Sequence, residues 1–173
     1  MRRRALSFLH KPLRRDVDFR PRVVICGSMT FLPQMMHVHK ELGEAHVPSV
    51  LPTLEDGVTL CTTLDTHDSV KRKLSLDHIR RIKNPSTFAI LVVNMEKHGE
   101  IDYIGPNAFA EIAIAFATGK QIFLLNDVPH SYSDELTAWG ATPLAGRVDY
   151  LVARHHSRLA ELQPRQLSFF EDW

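Results

Sequence analysis

Disulfide pairs, zinc-spaced ligands and membrane-length apolar runs are all missing from this sequence. It holds two cysteines, Cys26 and Cys61, too far apart for a CxxC pair. Neither a disulfide framework nor a dithiol redox motif is therefore expected, and Cys26, at the end of an apolar run, reads as a buried, reduced and inert thiol. Ten histidines are present, yet there is no HxxxH, no HExxH and no Cys/His cluster at zinc spacing. His37 and His39 are two apart and would leave a helix in different directions. No metal site and no cofactor are expected. No apolar stretch is long enough to cross a bilayer, and the cluster Ala5 to Leu9 is too short for a signal-peptide core, so the expected compartment is the cytoplasm. Aromatic residues make up 8% of the chain and do not interleave with basic ones, which argues against a base-stacking nucleic-acid surface. The G-x-S-x-G elbow, the Walker A loop and a G-x-G-x-x-G after the first strand are absent as well.

What is present fits one soluble globular domain. The chain has 173 residues, 44% hydrophobic and 24% charged, with a net charge of +1, enough to bury a core without staples. The small net charge hides an asymmetry, because Arg2, Arg3, Arg4, Lys11, Arg14, Arg15, Arg20 and Arg22 concentrate positive charge at the N-terminus. The division expected is a basic tail over 1–21, a single α/β domain over 22–163 and a C-terminal peptide over 164–173.

Arg22 to Cys26 is a β-branched run ending in Gly27-Ser28-Met29-Thr30, a buried strand followed by a turn. Pro33 then opens a helix with Gln34 to Ala45 as its body. Val47 to Leu51 reads as a short strand. Thr53 to Pro85 is an excursion whose second half can form a basic amphipathic helix with Val70, Leu74, Ile79 and Ile82 on one face. Thr87 to Val93, continuous and apolar, reads as a strand of a parallel sheet. Asn107 reads as the N-cap of a helix over Ala108 to Thr118, with Gly119 as its stop and Gln121 to Leu125 as the next strand. Asp134 to Trp139 reads as a helix, Val148 to Val152 as a last strand and His156 to Leu162 as a final helix.

This alternation predicts a three-layer, flavodoxin-like (Rossmann-like) α/β domain with a parallel sheet of about five strands. Ligands in such folds bind beyond the carboxyl ends of the strands. That edge gathers Gly27, Ser28 and Met29 after the first strand, the loop from Asn94 to Asn107 with Asp102, Tyr103 and Gly105, and Asn126 after the next strand. Glu111, in the first helical turn or just beyond, would be kept ionised by the free amides and the helix dipole. A carboxylate with a neighbouring acid and an aromatic hydroxyl suits chemistry through an oxocarbenium-like transition state, the logic of glycosidic bonds. The same glutamate could equally serve only to complement the helix.

The Cys-Gly-Ser after the first strand, the strand Ala89 to Val93 and the pattern Asp102, Asn107, Glu111-Ile, Ala115, Gly119-Lys120, Leu125 resemble the nucleoside 2-deoxyribosyltransferase superfamily over residues 22 to 127. The resemblance implies a glutamate nucleophile, matched by Glu111, and an acid in the preceding loop, matched by Asp102, that helps proton transfer to the base of a nucleoside or nucleotide. It also implies a homo-oligomer in which a neighbouring subunit completes each site. The chain departs from the pattern at Asn94, where the family has an acid, and in a longer loop from Asp102 to Glu111. Transfer, hydrolysis and binding without turnover all stay open. A separate likeness lies at the C-terminus, where Gln166, Leu167, Phe169 and Phe170 resemble the peptide with which bacterial proteins dock on the replicative sliding clamp. The alternative is that these side chains fold back on the chain's own core.

Overall fold

The computed structural model of the chain describes residues 20–53 and 64–162, with side chains omitted at 64–67. Residues 1–19 of the basic tail, residues 54–63 of the excursion with Cys61, and the clamp-like peptide lie outside the described residues. Within them, five parallel strands run in the order β2-β1-β3-β4-β5. β1 is Arg22–Gly27, β2 Ser49–Val50, β3 Thr87–Val93, β4 Gln121–Leu124 and β5 Thr142–Pro143. Helices α1 (Leu32–Glu44), α2 (Leu64–Lys83), α3 (Pro106–Ala117), α4 (Ser133–Ala138) and α5 (Asp149–Leu162) cover both faces. The expected three-layer α/β fold is thus present, and its strand order is that of the flavodoxin-like doubly wound sheet, with the reversal between β1 and β3. Among the described residues no helix is long and apolar enough to cross a membrane.

Strand alternation sorts the core into two layers. Val23 and Ile25 of β1 and Ala89, Leu91 and Val93 of β3 pack with Met35, Val38 and Leu42 of α1 and Leu151 of α5. Val24, Cys26, Ile90 and Val92 point to the opposite face, against Ile82 of α2, Ala108, Ile112 and Ala115 of α3 and Leu136 of α4. β1 and β3 are apolar on both faces because both faces are covered, which is why they read as continuous runs rather than alternations. Each fully buried Ile, Leu or Val contributes roughly 1.5–3 kcal/mol, so this central pair sets the frame on which the loops stand.

Three expectations need correction. Val148 to Val152 is not a strand: it leads into α5, and β5 is the two-residue segment Thr142–Pro143 beside β4. The β-branched valines suggest a strand, but Val148, Leu151, Val152 and His155 recur at helical spacing and all face the core. Proline in β5 is tolerated because that strand is at the edge. The expected helix from His156 is the second half of α5. Asn107 is not the N-cap of α3 either, since the cap is Gly105 and Pro106 opens the helix. Proline suits that first position, having no amide to leave unpaired and a φ already helical. At the other end Gly119 (φ +67°) lets the chain turn back, and the amide of Lys120 closes onto the Ala115 carbonyl at 2.9 Å.

Candidate functional site

The switch point opens between the ends of β1 and β3. Gly27 ends β1 with φ +148°, and a Cβ there would stand 2.7 Å from the Val93 carbonyl oxygen and 2.9 Å from Met35 Cε. Only glycine lets the two strand ends approach this closely. Beyond them lie two adjoining cavities. One, of about 360 Å³, is lined by Gly27, Met29, Pro52, Leu74, His78 and Glu111, among others. The second, of about 310 Å³, is lined by Ser28, Lys97, Tyr103, Gly105 and Pro106, and shares Gly27, Met29 and Asn107 with the first. Each is within the size range of small-molecule sites.

Glu111 borders the first cavity, with its side chain 19% exposed. Counting from Pro106, it falls in the second turn of α3, and no acid occupies the first turn. The amides that would hold it ionised are therefore a turn away, and burial decides instead. Burial pushes its carboxyl up to about 7, against a smaller downward pull from the hydrogen bond of the Cys26 thiol. The expected fully ionised glutamate is thus corrected to one poised near neutrality.

Its neighbours are not those expected. His78 Nε2 stands 3.7 Å from Glu111 Oε1 and 3.5 Å from Cys26 Sγ. Burial and the nearby Arg81 guanidinium lower the His78 imidazole to about 4, so at neutral pH it is uncharged and its contact with Glu111 is not an ion pair. By the pH at which His78 takes a proton, Glu111 is itself neutral, which is why the carboxyl does not hold that proton on the ring. Burial, together with Glu111, raises the Cys26 thiol well above its usual range, so the thiol keeps its proton. Three titratable groups from β1, α2 and α3 meet here inside an otherwise apolar layer.

Asp102 does not join them. It sits in the β3–α3 loop with φ +57°, a left-handed conformation that aspartate tolerates, and lines neither cavity. The same loop folds into a small hairpin: Lys97 and Glu100 exchange two backbone hydrogen bonds of 3.0 Å around His98 (φ +54°) and Gly99 (φ +79°). That turn puts Lys97 Nζ 3.1 Å from Ser28 Oγ and 5.2 Å from the centre of the Tyr103 ring. Tyr103 lies over Gly105, where a Cβ would meet the phenol oxygen at 3.1 Å. Ser28, Met29, Tyr103, Gly105 and Asn107 thus line the cavities.

Asn94 and Asn126 serve the scaffold. Asn94 is fully buried. Its Nδ2 donates to the Asp127 carbonyl at 2.7 Å, its Oδ1 accepts from the Asn126 amide at 3.0 Å, and Asn126 Nδ2 donates to the Asn94 carbonyl at 2.8 Å. This clip ties the end of β3 to the end of β4 and lines neither cavity.

Sequence reasoning missed His78 and Lys97. His78 carried a usable signal, since it falls between Leu74 and Ile82 at four-residue steps on the buried stripe of α2, where a polar residue needs partners. Lys97 carried a weaker one, the His-Gly pair that follows it. The chain matches no family model, and comparisons with curated proteins and with solved structures give no match.

Proposed function

We propose that this protein cleaves the N-glycosidic bond of a nucleoside or nucleotide, with Glu111 as the group that attacks the anomeric carbon. The observation that carries the reading is a largely covered carboxyl bordering a ligand-sized cavity at the switch point of the sheet, the position at which open α/β sheets hold ligands. In the ionised form a Glu111 oxygen bonds to the anomeric carbon as the carbon–nitrogen bond breaks. The base departs with the bonding pair and takes its proton from water in the open cavity, because His78 is neutral and the Cys26 thiol holds its own proton. Water then hydrolyses the glycosyl ester, or a second base displaces Glu111. The adjoining cavity, with Lys97, Ser28 and Tyr103, has the cation and hydroxyls to receive a phosphate on the sugar.

The test is incubation with a panel of nucleosides and nucleotides in the presence of a chelator, with free base read by chromatography. Wild type is expected to release base from at least one member, and Glu111→Gln to slow that release by roughly three orders of magnitude or more. Tight binding of a nucleotide with no base released would replace this reading by a non-catalytic nucleotide-binding module.

A further inference from the structure

We propose that Cys26, His78 and Glu111 also form a three-ligand site for a thiophilic divalent cation of the zinc class. The cation would occupy the floor of the first cavity and take Glu111 out of glycosidic chemistry while bound. The site does not depend on that chemistry, because it follows from the three side chains alone.

Geometry comes first. The ligand atoms of the three residues all lie within 4.8 Å of one another. A tetrahedral zinc ion, with bonds of about 2.3 Å to sulfur and about 2.0–2.2 Å to nitrogen and oxygen, spaces its sulfur and nitrogen ligands about 3.5 Å apart and its nitrogen and oxygen ligands about 3.4 Å apart. The corresponding separations here are 3.5 Å for Cys26 Sγ to His78 Nε2 and 3.7 Å for His78 Nε2 to Glu111 Oε1. A shift of a few tenths of an ångström in the Glu111 side chain closes the nitrogen–oxygen difference, and the Cys26 Sγ to Glu111 carboxylate edge, within 4.8 Å, has to draw in to about 3.6 Å.

The donor set selects the ion. One thiolate, one imidazole and one carboxylate suit zinc, whereas magnesium and calcium need oxygen ligands and avoid sulfur. Charge also balances, since a thiolate and a carboxylate together neutralise a divalent cation. Without a metal, a single proton bridges only one pair of the three groups at a time. A cation satisfies all three lone pairs at once, releasing the thiol proton and any carboxyl proton to solvent. His78 and Glu111 border the cavity while Cys26 lies behind them, fully buried. The ion therefore enters through the cavity, and its fourth position faces that cavity, open to water.

Cobalt(II) is the probe, because it takes the zinc geometry and is coloured. The full-length chain, stripped with a chelator and then freed of it, is titrated with Co²⁺. A thiolate-to-cobalt charge-transfer band and the strong visible bands of four-coordinate cobalt are expected to saturate at one equivalent and to vanish when Zn²⁺ is added. Cys26→Ser should abolish the charge-transfer band and Cys61→Ser should keep it. His78→Gln and Glu111→Gln should each weaken binding at least about tenfold, as even outer-shell changes do at metal sites. Absence of the thiolate band in wild type overturns the proposal, and so does a band that survives Cys26→Ser but is lost in Cys61→Ser. Should Cys26→Ser fail to fold, the affinity loss in Glu111→Gln decides instead. Base release is assayed in chelator and cobalt binding without nucleoside, so either reading can fail alone.

Discussion

Glu111→Gln is expected to make the metal-free protein more stable, by an amount that grows with pH. Burial raises the Glu111 carboxyl from 4.5 to about 7. Below pH 4.5 the folded and unfolded states both hold the proton, and the glutamate carries no penalty. Between pH 4.5 and 7 the unfolded chain gives up its proton while the folded one keeps it, so stability falls as pH rises, and above 7 the loss is complete. A difference of about 2.5 pH units at 1.36 kcal/mol each sets the full penalty at about 3 kcal/mol, of which about 1 kcal/mol is present at pH 5.5. Gln has the same shape, keeps an oxygen for the Cys26 thiol and never ionises. His78 acts in the opposite sense, since its lowered imidazole costs stability as pH falls from 6.5 towards 4, but it is present in both proteins and cancels in the comparison. Urea denaturation of wild type and variant in chelator should show the variant ahead by about 1 kcal/mol at pH 5.5 and about 3 kcal/mol at pH 8. The thermal midpoint at pH 8 should be higher by about 6–12 °C. A variant that is less stable at pH 8, or a difference that stays flat between these pH values, would refute the argument from burial.

Other outcomes follow from the same site. If Glu111 attacks as its ionised form, kcat/KM for base release in chelator should rise with pH through an apparent pKa near 7, and a flat profile from pH 5.5 to 8.5 would count against that role. Gly27→Ala forces a Cβ to within 2.7 Å of a backbone oxygen, and urea denaturation should show a loss of about 2 kcal/mol or more. Asn94→Ala removes two hydrogen bonds of a buried clip, with an expected loss of about 2–4 kcal/mol; a near-neutral result would mean that the clip does not hold β3 to β4. Lys97→Met should weaken binding of a nucleoside monophosphate about tenfold relative to the unphosphorylated nucleoside, measured by calorimetry, and an equal effect on both would remove Lys97 from phosphate recognition.

The parts of the fold legible from sequence were those in which one local rule acts alone. β3 has the expected bounds, Thr87–Val93, because a continuous apolar run flanked by polar loops admits little else. The region from Val148 failed where two rules compete: β-branching favours a strand, spacing favours a helix, and packing of Leu151 and His155 against the sheet decided for the helix. The candidate site was legible only in part. Glu111 and the Gly27 turn stand out in the chain, but the partners of Glu111 come from positions 26 and 78, and no spacing rule joins residues that meet only through tertiary contacts. The sharpest lesson is in the charge of Glu111. With Asn107 as the cap, the glutamate falls close to the free amides and is held ionised; with Gly105 as the cap, it falls two residues deeper and burial raises it instead. A boundary shift of two residues, ordinary for helix ends, thus reverses the sign of the expected pKa shift. The burial that raises the carboxyl costs folding stability, and it would also set the pH at which the proposed nucleophile becomes ionised. The stability of Glu111→Gln and the pH profile of base release are accordingly two measurements of one quantity, the depth at which α3 holds its glutamate.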